Sequence, residues 1–198
     1  LLADPPYGME YHSNHNAKEK GEIPGDDMGA LPLLEDALTE MSPKLQEDAH
    51  VLIFTHWRKE CAVRDLIAEH FEIRGSLVWK KQEHGLGDLD GSFSPSHERI
   101  IHAVKGDPSL AHREKDVIEA EKVKTEKHPT VKPQDLLRPL IRATTVEGEL
   151  VADPFAGIGS TVKAAIKEGR RGWGVELKED YHSIGQTRIE QAPQNGSG

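Results

Sequence analysis

Leu150-Val151-Ala152-Asp153-Pro154-Phe155-Ala156-Gly157-Ile158-Gly159-Ser160-Thr161 is the stretch around which this 198-residue chain is organised. An apolar run closes on an acidic residue, a turn follows through Gly157-x-Gly159, and an amphipathic segment, Ser160–Glu168, begins at once. That is a buried strand feeding a helix. The glycines let the backbone approach a ligand closely, and the helix N-terminus presents free N–H groups. The following strand, Gly172–Leu177, carries Glu176 near its tip, where a carboxylate can accept both ribose hydroxyls of an adenosine. The spacing suits a nucleoside cofactor. A phosphate-binding P-loop is disfavoured, because Ile158-Gly159-Ser160-Thr161 lacks the lysine that would precede Ser/Thr. A tight strand–helix turn that holds no ligand has the same local pattern, so the rest of the chain has to separate the two.

Outward from this unit, strands and helices alternate. The spacing of apolar residues predicts a helix over 30–47, a buried parallel strand over His50–Thr55, a helix over Lys59–His70, and strands at Ser76–Lys80 and Arg99–Val104. Pro133–Thr144 reads as a helix with proline in its first turn, where its missing N–H costs least, and Glu179–Gln191 as the last helix. Leu1–Ala3 reads as the end of a strand whose upstream part lies outside this chain. Residues 8–27 lack apolar periodicity and read as a long polar loop, and 193–198 as a disordered tail whose closing Gly-Ser-Gly looks added. The alternation implies an α/β domain with a mostly parallel sheet.

Composition narrows the class. Hydrophobic residues make up 36% and charged ones 30%, and no run approaches the ~18 apolar residues of a membrane span, so the chain reads as soluble. The single cysteine, Cys61, excludes an internal disulfide framework and fits a reducing cytoplasm. His12 and His15 sit three apart in the polar loop with no third ligand nearby, so no metal site is expected. The net charge of −9 argues against a long basic groove, yet Arg58, Lys59, Lys80, Lys81 and the lysines from Lys122 to Lys132 leave room for a small basic patch.

Two further segments carry chemistry. In Asp4-Pro5-Pro6-Tyr7-Gly8 the prolines fix the backbone and remove its donors, leaving carbonyls that point outward as acceptors. A carboxylate, a free carbonyl and an aromatic face then converge, a receptor for a planar heterocycle with an exocyclic amine. Asp4 and the Pro5 carbonyl would accept N–H bonds while Tyr7 stacks. An ordinary proline-rich turn is the bland alternative. His128-Pro129-Thr130-Val131-Lys132-Pro133 leads into the next helix and, taken alone, is a helix entry with a solvated lysine.

In this order, the D-P-P-Y, H-P-T-x-K-P and D-P-F-x-G-x-G segments resemble the beta group of S-adenosylmethionine-dependent DNA amino-methyltransferases. These enzymes methylate the N6 of adenine or the N4 of cytosine in restriction–modification and phage systems. The resemblance covers Leu1 to about Ala192. It implies a Rossmann-like class I methyltransferase fold with helices on both faces of a twisted, mostly parallel sheet, one antiparallel strand and a permuted motif order. One domain, 1–192, is expected, with a catalytic half (1–106), a short recognition or linker segment (107–127) and a cofactor-binding half (128–192).

By the same resemblance the D-P-P-Y and D-P-F-x-G-x-G strands lie side by side at the sheet's centre. Asp4, Pro5, Pro6 and Tyr7 would hold the flipped base. Asp153, Phe155, Gly157, Gly159, Ser160, Thr161 and Glu176 would hold S-adenosylmethionine, with His128, Thr130, Lys132 and Pro133 helping to close over it. The expected reaction is methylation of adenine N6 in DNA, since Asp rather than Ser opens the first motif. N4-cytosine or RNA base methylation and a non-catalytic remnant are the alternatives. The small cation count and the short recognition segment imply a homodimer on DNA. A cytoplasmic protein, prokaryotic or phage-encoded, is expected.

Overall fold

The computed structural model describes residues 1–6, 30–82, 91, 93–123 and 131–191. Five strands form one sheet: β1 (Leu2–Ala3), β2 (Ala49–Thr55), β3 (Glu72–Lys81), β4 (His97–Lys105) and β5 (Val117–Ala120), in the order β1-β2-β4-β3-β5. β1 runs parallel to β2 and β3 parallel to β5, while β4 lies antiparallel to both β2 and β3. β4 is therefore the single reversed strand of that sheet, as expected. β6 (Leu150–Asp153) and β7 (Arg171–Gly174) pair in parallel as a second, two-stranded sheet.

β2 shows why the sheet is buried on both sides. Its burial is nearly continuous, and its side chains alternate between two cores. Leu52 and Phe54 pack with Leu136, Leu140 and Ile141 of α3 (Gln134–Thr144) and with Ala164 and Ala165 of α4 (Ser160–Lys167). Val51 and Ile53 pack with Leu34 and Leu38 of α1 (Ala30–Met41) and with Val63 and Ile67 of α2 (Glu60–Ala68). A period-2 strand with both faces apolar needs helices on both faces. The last helix, α5 (Glu179–Glu190), lies against the turn before α4.

Four details differ from the sequence reading. The helix expected over 30–47 ends at Met41, because Pro43 disfavours helical backbone at Ser42 and the chain tightens into a 3-10 turn, Ser42–Lys44. The segment 107–127 contains a strand: β5 adds to the edge of β3, buries Ile118 and Ala120, and accepts a hydrogen bond from the Trp79 indole at the Ala120 carbonyl (2.9 Å). Four residues flanked by charges are too short to show a period.

β1 packs beside β6, but no ladder joins them. β1 is only two residues long, and Pro5 and Pro6 have no N–H with which to extend it. β7 ends at Gly174, which puts Glu176 two residues beyond the strand rather than within it.

Candidate active site

The end of β6 is a site built from backbone. Gly157 and Gly159 both have positive φ, 53° and 75°, which glycine alone adopts without cost. Gly159 caps α4, and the N–H of Lys163 bonds back to its carbonyl at 2.9 Å. Gly185 of α5 seats the helix on this turn: a Cβ there would come within 3.3 Å of the Ile158 carbonyl carbon. The Arg188 guanidinium donates to the Ile158 carbonyl at 2.7 Å. Glu176 reaches back across the turn, accepting from the Gly157 N–H at 2.8 Å and from the Lys178 N–H at 2.9 Å. An ionised carboxylate has about four acceptor positions, so two remain for hydroxyl donors.

Asp153 is 2% exposed. It accepts from the Phe155 N–H at 2.9 Å and from the Thr161 hydroxyl. Burial pushes its carboxyl up to about 7 against those hydrogen bonds. Asp153 therefore ties the strand to the helix from below the turn. Ser160 and Thr161 are likewise buried. The Gln134 amide donates to the Ser160 carbonyl at 3.1 Å, and its own Oε1 is buried without a partner among the described residues. An orphaned acceptor beside a glycine turn and a helix N-terminus fits a polar ligand seated there.

The end of β1 is built from side chains. Asp4 follows the strand directly, and its Oδ2 lies 2.5 Å from the Lys132 ammonium. Lys132 is 7% exposed and also lies 3.3 Å from Glu98 Oε2. Glu98, on β4, accepts from Lys81 at 2.5 Å. The Lys132 ammonium stands 5.0 Å from the Phe54 ring centroid and 5.8 Å from that of Trp79. Burial pulls the Lys132 pKa down, but Asp4 and Glu98 more than offset it and raise it above the usual lysine value. For Lys81 burial wins, and its pKa falls despite Glu98. The two strand ends are close enough for Asp4 and Lys132 both to act on Asp153.

The sequence-predicted residues thus fall into two groups. Asp153, Phe155, Gly157, Gly159, Ser160, Thr161 and Glu176 come together at one strand end. Asp4, Pro5 and Pro6 stand at the neighbouring end, and Lys132, just before Pro133, turns to Asp4. Tyr7, His128 and Thr130 lie outside the described residues. Lys81, expected to contact phosphate, is instead 11% exposed and spent on Glu98. It sits at the end of β3, where the strand still faces the core. Glu98 is a site residue that sequence reasoning misses, because in His97–Lys105 it stands among other charged residues and histidines.

A glycine turn beside an acidic strand end, at the carboxyl ends of parallel strands, is where open α/β enzymes have the crevice that takes a nucleotide cofactor. The family model for DNA methylases that modify N6 or N4 amines matches residues 1–187. The chain belongs to that family, the beta group of S-adenosylmethionine-dependent DNA amino-methyltransferases. It is similar to YubD of Escherichia coli (strain K12), 34% identical over 204 residues that span 100% of this chain and 85% of YubD. It is 42% identical to the DNA adenine methyltransferase YhdJ of the same organism over 67 residues, 34% of this chain and 23% of YhdJ.

Among solved structures, the M1.HpyAVI–SAM complex superposes with a TM-score of 0.74 at 20% identity, over 95% of this chain and 86% of that one. The PvuII cytosine-N4-specific DNA methyltransferase superposes with 0.74 at 15% identity, over 99% and 80%. These structural likenesses show the fold.

Proposed function

We propose that the chain transfers a methyl group from S-adenosylmethionine to the N6 amine of adenine in DNA. The observation that carries this reading is the Asp4 carboxylate at the end of β1, beside the Asp153–Thr161 turn and within reach of its electrostatics. Bound S-adenosylmethionine supplies a sulfonium methyl open to in-line displacement. The glycine turn and the N-terminus of α4 hold the donor's amino-acid end, and Glu176 holds the ribose through its two remaining acceptor positions.

In-line displacement needs little proton transfer and much positioning. Adenine's amine is conjugated and weakly nucleophilic. Asp4 and the Pro5 carbonyl accept its N–H bonds, favour a pyramidal nitrogen, and stabilise the positive charge that develops there. Tyr7 stacks on the base, which must leave the duplex at a cost of a few kcal/mol. The Asp that opens the first motif and the likeness to YhdJ support adenine over cytosine.

The working form we propose is a cytoplasmic homodimer, because the chain is acidic and its cations are few. Light scattering that showed a fully active monomer would remove the dimer. The test of the reaction uses tritiated methyl donor on DNA, with the product digested to nucleosides. Label in N6-methyladenine is expected. Label in N4-methylcytosine overturns the base assignment, and label only with RNA overturns the substrate. Donor binding without any transfer would leave a non-catalytic member of the fold.

A further inference from the structure

Glu98, the one carboxylate of β4, is 14% exposed and serves two cations from different elements. Its Oε1 takes Lys81 at 2.5 Å and its Oε2 faces Lys132 at 3.3 Å. Lys132 stands between two carboxylates, nearer to Asp4 (2.5 Å) than to Glu98. Both ammonium groups lie over aromatic rings, Lys81 at 5.0 Å from the Trp79 centroid and Lys132 at 5.0 Å from that of Phe54. Two cations and two carboxylates meet here, and removing any one shifts the charge balance of a buried cluster.

An amine brought to Asp4 as a hydrogen-bond donor meets an oxygen that already holds a donor. An ammonium and an exocyclic amine make the same kind of contact with a carboxylate, and on Oδ2 they compete for one place. We infer that Lys132 occupies the place of the base amine on Asp4 in the resting enzyme, and that Glu98 is the positioning residue that receives Lys132 when a base arrives. Lys81 fixes the far oxygen of Glu98, so the receiving oxygen stays aimed at Lys132. Once there, the lysine shares the Glu98 carboxylate with Lys81 and no longer holds the Asp4 oxygen, whose negative charge then faces the positive charge growing on the base nitrogen. No bond is made or broken in this exchange. The inference rests on reading Asp4 as the acceptor for the base amine.

Glu98→Gln tests it, since the amide keeps the shape and loses the charge. Without the Glu98 charge to draw it away, Lys132 stays on Asp4, and KM for DNA rises about tenfold or more, the scale of one charged hydrogen bond. The affinity for S-adenosylmethionine, read by calorimetry, moves no more than a few-fold. Adding Lys132→Met to Glu98→Gln removes the competitor and brings KM back towards the parent value. A purely structural role for Glu98 would make the double variant worse instead.

Lys132→Met alone leaves Glu98 neutralised by Lys81 and should lower KM for DNA severalfold, a readout that survives even if Glu98→Gln fails to fold. An unchanged or raised KM in Lys132→Met, or a Glu98→Gln defect that Lys132→Met fails to relieve in folded protein, overturns the inference. Asp4→Ala, which removes the acceptor altogether, separates the two levels. If that variant still methylates DNA, the reading of Asp4 is wrong. If it is inactive while the KM shifts are absent, only the exchange is wrong.

Discussion

The two strand ends that flank the crevice are made of different materials. At the end of β6, contiguous backbone does the positioning: two glycines with positive φ, a helix N-terminus, and one carboxylate from 19 residues away clamping the Gly157 N–H. At the end of β1, side chains do it. Asp4, Lys81, Glu98 and Lys132 come from four places in the chain, and the Asp4–Lys132 pair spans 128 residues. A backbone site fixes where a ligand sits and changes little with protonation. A side-chain site can rearrange, because its charges have more than one partner. Under the proposed function the rigid end takes the donor and the adjustable end takes the base.

The largest effect should come from breaking the adjustable end alone. Asp4→Ala removes the acceptor for the amine, and methyl transfer should fall by about 10²–10³ or more, the scale of a lost preorganised electrostatic contact. S-adenosylmethionine binding, measured by calorimetry, should stay within a few-fold, since the carboxylate faces the base. Loss of donor binding together with activity would merge the two ends into one site. The converse variant is Glu176→Ala. It frees the Gly157 and Lys178 N–H groups and removes the ribose acceptor. A loss of roughly 1–3 kcal/mol per buried hydrogen-bonded group lowers donor affinity about tenfold to a hundredfold. DNA affinity measured without donor should hold.

The same contrast explains what could be read from the sequence. The β6 turn was legible because its determinants lie within a dozen residues: an apolar run, an acid, two glycines and a helix start. The alternation of strands and helices was legible for the same reason, and so was burial of β2 on both faces. The partnership of Lys132 with Asp4 was not, because it depends on how the loop before α3 meets the end of β1. Lys81 read as a surface cation because Lys80 and Lys81 look alike in sequence. Only the strand register separates them: Lys80 pairs with Glu119 in the open, and Lys81 turns inward to Glu98. β5 escaped notice because its support is Trp79, 41 residues away.

A smaller effect concerns the buried acid at the end of β6. Asp153 has its carboxyl pushed up to about 7 by burial, above the ordinary 3.8. Between those values the folded chain holds a proton that the unfolded chain releases. This contribution to stability is therefore present at low pH and lost as pH rises through about 7. Asp153→Asn keeps an acceptor for the Phe155 N–H and carries no charge. Its Tm should match the parent near pH 4 and exceed it by a few degrees at pH 8. Melting curves across that range check the sign, and a variant less stable at pH 8 than at pH 4 relative to the parent would show that the buried charge is favoured.

The smallest effect separates outer cations from inner ones. His56-Trp57-Arg58-Lys59 follows β2, whose end lies next to that of β1. Trp57 is 52% exposed, with the Arg58 guanidinium 5.2 Å from its ring centroid. An exposed aromatic with a cation stacked on it, just beyond the end of β2, suits a DNA backbone and an unstacked base. Arg58→Ala should weaken DNA binding severalfold, whatever the sequence. It should also make the slope of log affinity against log salt shallower by about 0.9, one phosphate contact. Lys81→Met should leave that slope unchanged, because the charge of Lys81 is committed to Glu98. Salt titrations of both variants on one duplex make the comparison. Equal changes in slope would mean that the inner lysine reaches DNA, and the division between a rigid donor end and a self-paired base end would then have to be redrawn.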